Sequence, residues 1–343
     1  MTKEEILQAV QRNIAGQGSM VDISGKLPEI LVGIAESAKF ANKAKITVKV
    51  YAKKWDADNK SFVNESGVTG VLIVKGFTEC GELLPVQEIP FTVPEDEEFA
   101  AVEFDATIGD TIGIVGKIAG KGASCQLVQK VVAPTTVDVE IYPAGIYEIG
   151  DGALSPTIAG DGYNGCAVVT EDFALALLPH QRDGWKDNYV QWGGMFQPIP
   201  FVLKAATDAE AITDFDGALN TAAILSVVKD ADCAARVATI MPEPHYTRFG
   251  AFLPSAGMLK YLYEHRTEIN ALIAAANEGY TPDVDYQTIP NDITAWSSTD
   301  YADDDNAAVR ARYVSFSYGH VDYDYRNYLS IHAFAVSAFQ TMC

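Results

Sequence analysis

The sequence predicts a multidomain α+β protein: N-terminal short helices, then an antiparallel β-sandwich, then a larger C-terminal α+β domain. Three observations carry this reading. The chain has 343 residues and is 48% hydrophobic, too long for one ordinary compact domain and apolar enough to bury two sizeable cores. Apolar residues recur with a helical period before residue 40 and with a period of two between residues 45 and 142. Beyond residue 210, helical stretches rich in small residues are followed by short strand-like runs. The boundaries fall at 1–40, 41–143 and 144–343.

In the first segment, Thr2 and Glu5 fit a capping box, and Ile6, Leu7, Val10 and Ile14 share one helical face until Gly16-Gln17-Gly18 ends the pattern. Leu27, Ile30, Leu31 and Ile34 form a second stripe, with Pro28 tolerated in the first turn. Helices this short are marginal alone in water, so both stripes need a partner surface, either in their own module or on another subunit.

In the second segment, Ile46, Val48 and Val50 alternate with polar residues. Further strands are expected at 71–75, 86–93, 99–104, 111–115, 125–132 and 137–142, separated by Gly, Asn, Asp and Pro. Glu95-Asp96-Glu97-Glu98 reads as a solvated hairpin loop. Asp56, Asp58 and Asn59 do not make an EF-hand, because Lys60 stands where an oxygen ligand is needed and no glycine follows.

In the third segment, Gly160-Asp161-Gly162-Tyr163-Asn164-Gly165 spells GxGxxG but leads into the strand-like 166–170, whereas a dinucleotide fingerprint must open a helix. One or two close-packed helices are expected over 218–228 and 231–239, and a further one, as a single element, over 256–276. In the last, Leu259, Leu262, Tyr263, Ile269, Leu272 and Ile273 form the buried side, and Lys260, Glu264, Arg266 and Glu268 face water.

Composition narrows the function classes. With 25 Lys and Arg against 46 Asp and Glu, the net charge of −21 repels nucleic-acid phosphate and anionic membranes. No stretch approaches the length of an apolar membrane span, and the N-terminus lacks a signal-peptide pattern. Cys80, Cys125, Cys166, Cys233 and Cys343 form no CxxC pair or metal spacing and read as separate buried or terminal thiols of a reducing cytosol. The five histidines form no HExxH or HxH pair, and there is no GxSxG elbow or Walker A loop, so neither enzyme, metal nor cofactor is expected. His265, on its predicted helix, reads as a solvated surface histidine.

The stretch from 296 to 327 supplies the candidate ligand-binding residues: Trp296, Tyr301, Asp304, Arg310, Tyr318, His320, Asp322, Asp324, Tyr325, Arg326 and Asn327. Tyrosine offers rigid area with a polar tip, and Asp and Asn offer adaptable hydrogen bonds, the palette of binding loops. The competing reading is a polar loop surface with some aromatics in the core, Tyr313, Phe316 and Tyr328 among them.

Six stretches carry a resemblance: 216–222, Ala234-Ala235, 252–259, 295–301, 313–316 and 333–336. Their order resembles C-type-lectin-like domains of the Lcl C-terminal type, as found in bacterial surface adhesins and phage receptor-binding proteins. Residues 16–31 resemble N-terminal attachment segments of virion fibre proteins from phages of gut Bacteroidales, including crAss-like phages. The chain departs from calcium-dependent lectins in having Glu243-Pro244-His245 and Trp296-Ser297-Ser298 where those carry Glu-Pro-Asn and Trp-Asn-Asp, so calcium-dependent sugar binding is not expected. The resemblance implies a head-fibre or tail-fibre subunit of a virion assembled in the host bacterial cytoplasm. Its N-terminus would meet a capsid or tail protein, its copies would form a dimer or trimer, and its C-terminal face would meet a host cell-surface ligand. A decoration protein with no host ligand, or a bacterial surface adhesin, are the alternatives.

Overall fold

The computed structural model describes residues 42–150, 153–156, 163–177, 189–199, 202–240, 250–279, 288–302 and 308–339. The predicted anchor residues, from Ile6 to Ile34, lie outside this set, as does Asp304. Residues 44–343 pack as one compact unit, and its elements make a β-rich α+β fold with four sheets and five helices among the described residues.

Two sheets enclose the first core. One holds β2 (Ser61–Asn64), β1 (Lys43–Asp56) and β5 (Ala100–Thr107) in that order, with β9 (Thr135–Ile141) also paired to β1. The other holds β4 (Gln87–Thr92), β3 (Thr69–Phe77) and β6 (Thr111–Ile118), with β7 (Gly122–Ala123) and β8 (Leu127–Lys130) both on β6. Strand alternation explains the burial. Ala44, Ile46, Val48, Val50 and Ala52 of β1 are fully buried and meet Leu72, Phe91, Ile112, Ile114 and Ile141 from the other strands. Each of the buried Ile, Val and Leu side chains contributes about 1.5–3 kcal/mol.

Two expectations change here. β1 and β9 run parallel, from Ile46 opposite Thr135 to Ala52 opposite Ile141, so the pairing is not antiparallel throughout. A parallel pair needs a long crossover, and all the intervening strands supply it. The acidic loop 95–98 is exposed, but it joins β4 of one sheet to β5 of the other and so is not a hairpin.

The third sheet runs β11 (Ala153–Ser155), β10 (Gly145–Gly150), β12 (Tyr163–Val169), β13 (Ala174–Leu177), β20 (Val336–Ser337), β15 (Ala251–Phe252). The GxGxxG spelling thus ends inside a strand, β12. The fourth sheet runs β14 (Lys204–Ala205), β16 (Thr294–Tyr301), β17 (Arg310–Ser315), β18 (Val321–Tyr325), with β19 (His332–Ala333) on β16.

Five helices cover these sheets: α1 (Asp208–Ala211), α2 (Gly217–Val227), α3 (Ala234–Ile240), α4 (Ala256–Glu264) and α5 (Arg266–Gly279). The last two replace the single helix expected over 256–276. His265 leaves helical geometry at φ −100°, ψ 7°, and its ring stacks on Tyr261 at 4.1 Å. At this break Arg266 Nη1 donates to the Phe316 carbonyl at 2.7 Å. Leu259, Leu262, Ile269 and Ile273 still bury together against Phe252, Phe316 and Phe334.

Candidate functional site

The antiparallel strands β16, β17 and β18 build the most chemically distinctive surface. Arg310 stands opposite Tyr325, Arg312 opposite Tyr323, and Asp300 opposite Ala311. Alternation therefore puts Tyr301, Arg310, Arg312, Tyr323 and Tyr325 on one face. The Tyr301 and Tyr323 rings lie 4.1 Å apart. The Arg310 guanidinium sits 5.2 Å from the Tyr323 ring, 5.6 Å from Tyr301 and 5.8 Å from Tyr325, and Arg312 sits 4.8 Å from Tyr301. Arg312 is itself fixed from below, donating to the Ala205 carbonyl at 3.0 Å and to Asp208 Oδ1 at 2.6 Å. Tyr325 keeps 54% of its surface exposed. The result is a row of rings and guanidinium planes whose positions are set before any ligand arrives.

In the turn between β17 and β18, Tyr318 is 80% exposed and stacks on His320 at 5.8 Å. Asp322 and Asp324 occupy the opposite face of β18 and turn back on their own strand, accepting from the N–H groups of Tyr323 at 2.8 Å and Tyr325 at 2.7 Å. Burial, with the Asp322 and Asp324 charges added, pushes the Tyr313 hydroxyl up to about 12. Asn327 is exposed just beyond. Arg312 and Tyr323 complete the ring face although they stand outside the predicted set; strand alternation from Arg310 and Tyr325 is the signal that reaches them.

Two predicted ligand residues belong to the interior. Trp296 is fully buried, and its indole N–H donates to the Val190 carbonyl at 2.9 Å. Arg326 is also fully buried. Its Nη2 donates to both oxygens of Asp300, at 2.7 and 2.6 Å, and its Nη1 donates to the carbonyls of Gly194 at 3.0 Å and Gln197 at 2.9 Å. Its guanidinium lies 4.5 Å from the Trp192 ring. A buried arginine is stable only with its donors matched this fully, and those partners leave no surface for a ligand.

A second polar cluster lies where α2, α4 and β16 meet. Asp214, 3% exposed, accepts from Thr299 Oγ1 at 2.6 Å, from Asn220 Nδ2 at 2.8 Å and from the Asp216 N–H at 3.0 Å. Its backbone carbonyl accepts from Ser255 Oγ at 2.6 Å, and Thr299 Oγ1 accepts the Ala256 N–H at 2.9 Å. Three of the sequence stretches singled out above, 216–222, 252–259 and 295–301, therefore meet around one carboxylate. Burial first, and then the Asp216 charge, push the Asp214 carboxyl up to about 6. These bonds run from Asp214 to α2, to the start of α4 and to β16, and so fasten the three elements together.

The reactive side chains are dispersed. Cys80 is exposed, not buried as expected; Cys125 is half-buried, Cys166 and Cys233 are buried, and none of the four is paired. Burial pushes the Cys125 thiol up to about 12 and raises Cys166 and Cys233, which makes all three poor nucleophiles. His332 is buried with Nδ1 3.0 Å from the Thr294 carbonyl. Among the described residues no three His, Cys, Asp or Glu side chains come together in a metal-binding group. No model of a known protein family matches the chain, and no curated protein or solved structure matches it either.

Proposed function

We propose that the chain is a virion fibre subunit that attaches to a capsid or tail protein through residues 1–40 and presents its C-terminal module to a glycan or protein on the host cell surface. In this reading residues 41–143 are a β-sandwich spacer and residues 144–343 a C-type-lectin-like head. The protein works by recognition, without catalysis, metal or cofactor, and without nucleic-acid binding or membrane insertion. Copies associate as a dimer or trimer in the virion, covering the apolar stripes of the N-terminal helices.

One observation carries the recognition half: Tyr301, Arg310, Tyr323 and Tyr325 form one pre-set face, with exposed Tyr318 and His320 in the adjoining turn. Rings with polar tips beside a guanidinium suit both sugar rings and protein side chains. The attachment half rests on the resemblance of residues 16–31 to fibre attachment segments.

Two measurements test the two halves separately. Co-sedimentation with virions, using the full chain and a chain lacking residues 1–40, should show attachment that is lost on truncation; no attachment by either form removes the fibre reading. Glycan-array and host-cell binding by the full chain should be lost in a Tyr318→Ala/Tyr325→Ala variant. Binding to nothing by either form would leave a decoration protein as the better account.

A further inference from the structure

A cavity lined by none of the tyrosine-face residues lies where the outer surface of the β3–β6 sheet meets the turns at Asp172 and at 213–216. It is a cleft of about 320 Å³. This is at the lower end of the roughly 300–1,000 Å³ that small-molecule sites occupy, and such sites favour junctions between packed bodies. Ile73 and Val115 from the sheet and Phe215 from the turn before α2 line it with apolar surface. The polar lining comes chiefly from Lys75, Lys117, Gln126, Asp172 and Asp216.

The lining is rigid. Phe215 stacks on Phe173 at 5.3 Å, and Phe173 meets Tyr261 edge-on at 5.6 Å, so the ring is backed by two more. Gln126 Nε2 donates to Asp216 Oδ1 at 2.9 Å, while Gln126 Oε1 accepts the Leu219 N–H at 2.8 Å, which fixes both the amide and the carboxylate. A site held this way loses little freedom when occupied.

The charges cancel in pairs. Lys75 Nζ lies 2.5 Å from Asp216 Oδ2, and Lys117 Nζ lies 2.9 Å from Asp172 Oδ1. An ionic ligand would find its counter-charge already neutralised. A ligand bearing hydroxyls meets a different situation, because each hydroxyl donates to a carboxylate and accepts from an ammonium at once, extending each pair without breaking its charge balance. Its C–H face can rest on Phe215.

We propose that this cleft binds a neutral polyhydroxylated ligand, a single sugar ring being the chemistry that fits its size, its aromatic floor and its paired charges. The site is distinct from the tyrosine face and does not depend on it.

Saturation-transfer NMR on the full chain tests this with glucose, galactose, mannose and N-acetylglucosamine, and with glucuronate and glucosamine as charged comparators. At least one neutral sugar should receive saturation, and the charged ones should receive less. Val115→Phe, which fills the cleft, and Lys117→Ala/Asp172→Ala, which removes both members of a partly exposed pair and so leaves no charge unpaired, should each weaken binding roughly tenfold or more. Circular dichroism establishes that each variant is folded, and the double variant serves if Val115→Phe is not. A saturation signal from the neutral sugar should persist in Tyr325→Ala, which weakens binding at the tyrosine face only. The proposal is overturned if no neutral sugar binds, if only charged sugars bind, if a folded cleft variant binds as the parent does, or if Tyr325→Ala abolishes the signal.

Discussion

Arg326 and Asp300 form an ion pair from which water is excluded: the two side chains are 0% and 1% exposed, and one guanidinium nitrogen reaches both carboxylate oxygens. The same arginine holds the Gly194 and Gln197 carbonyls in a loop where Gly193 and Gly194 take φ of +92° and +64°. A Cβ at Gly193 would lie 2.5 Å from Cys233 Cβ, so both the left-handed backbone and the close approach call for glycine there.

Removing one partner of this pair leaves a charge with no water and no counter-charge. Arg326→Met should therefore lower the unfolding free energy by about 3–5 kcal/mol. Adding Asp300→Asn should restore part of the loss, since the uncompensated charge is then gone. Urea unfolding of the two variants checks this; a loss in Arg326→Met below about 1 kcal/mol would place the pair among ordinary surface contacts.

Asp214 gives stability a pH dependence of definite sign. Its carboxyl is pushed up to about 6 in the fold from an ordinary 3.8, chiefly by burial. Between those values the folded state holds a proton that the unfolded chain has released, so stability falls as pH rises from about 4 to about 6 and stays lower above. The span amounts to about 3 kcal/mol. Asp300 and Asp110 are raised too, burial being the largest cause in each, and act in the same direction. In Asp214→Asn the fall should shrink. Denaturant titrations at both ends of this window measure it, and an unchanged slope in the variant would show that Asp214 does not titrate there.

Exposed and buried aromatics of the same stretch should separate cleanly by mutation. Tyr318→Ala and Tyr325→Ala should stay within about 0.5 kcal/mol of parent stability while weakening ligand binding by roughly tenfold or more. Trp296→Ala should instead cost about 3–5 kcal/mol of stability. Thermal unfolding set beside host-cell binding distinguishes the two groups; a destabilised Tyr325→Ala would mean that its ring serves the fold.

Among the described residues β18 is an edge strand, and its own side chains close that edge. Arg326 N–H bonds Val309 O and Ser315 N–H bonds His320 O, so the even-numbered residues of β18 face β17 and the N–H groups of Tyr323 and Tyr325 point outward. Asp322 and Asp324 occupy both of those donors. Replacing the two aspartates with alanine should open the edge to strand addition and shift sedimentation toward larger species. A variant that sediments as the parent does would show that the edge needs no such cover.

What the sequence discloses is what adjacent residues decide. The alternation of Ile46, Val48 and Val50 is a local pattern, and the strand it marks is present as β1. So are the small-residue runs that become α2 and α3. The parallel partner of β1 was not legible, because register is settled by residues far along the chain. The break at His265 escaped because helix-forming residues continue through it, and only the packing of Tyr261 and Phe316 sets it. At the candidate site, Tyr301, Arg310 and Tyr325 follow from residue type and alternation. Arg326 does not, since nothing near it in sequence announces Asp300 as its buried counter-charge.

The place of β20 in its sheet bears on biosynthesis. Val336 and Ser337 pair on one side with β13, at Leu177 and Ala176, and on the other with β15, at Phe252 and Ala251. A ribosome that has delivered everything up to residue 330 has therefore made both neighbours but not the strand between them. Two short edges must wait, without the strand that joins them, until Val336 and Ser337 emerge. This sheet closes only after residues 336 and 337 have been made, and a nascent chain stalled just short of them is the form a chaperone would meet.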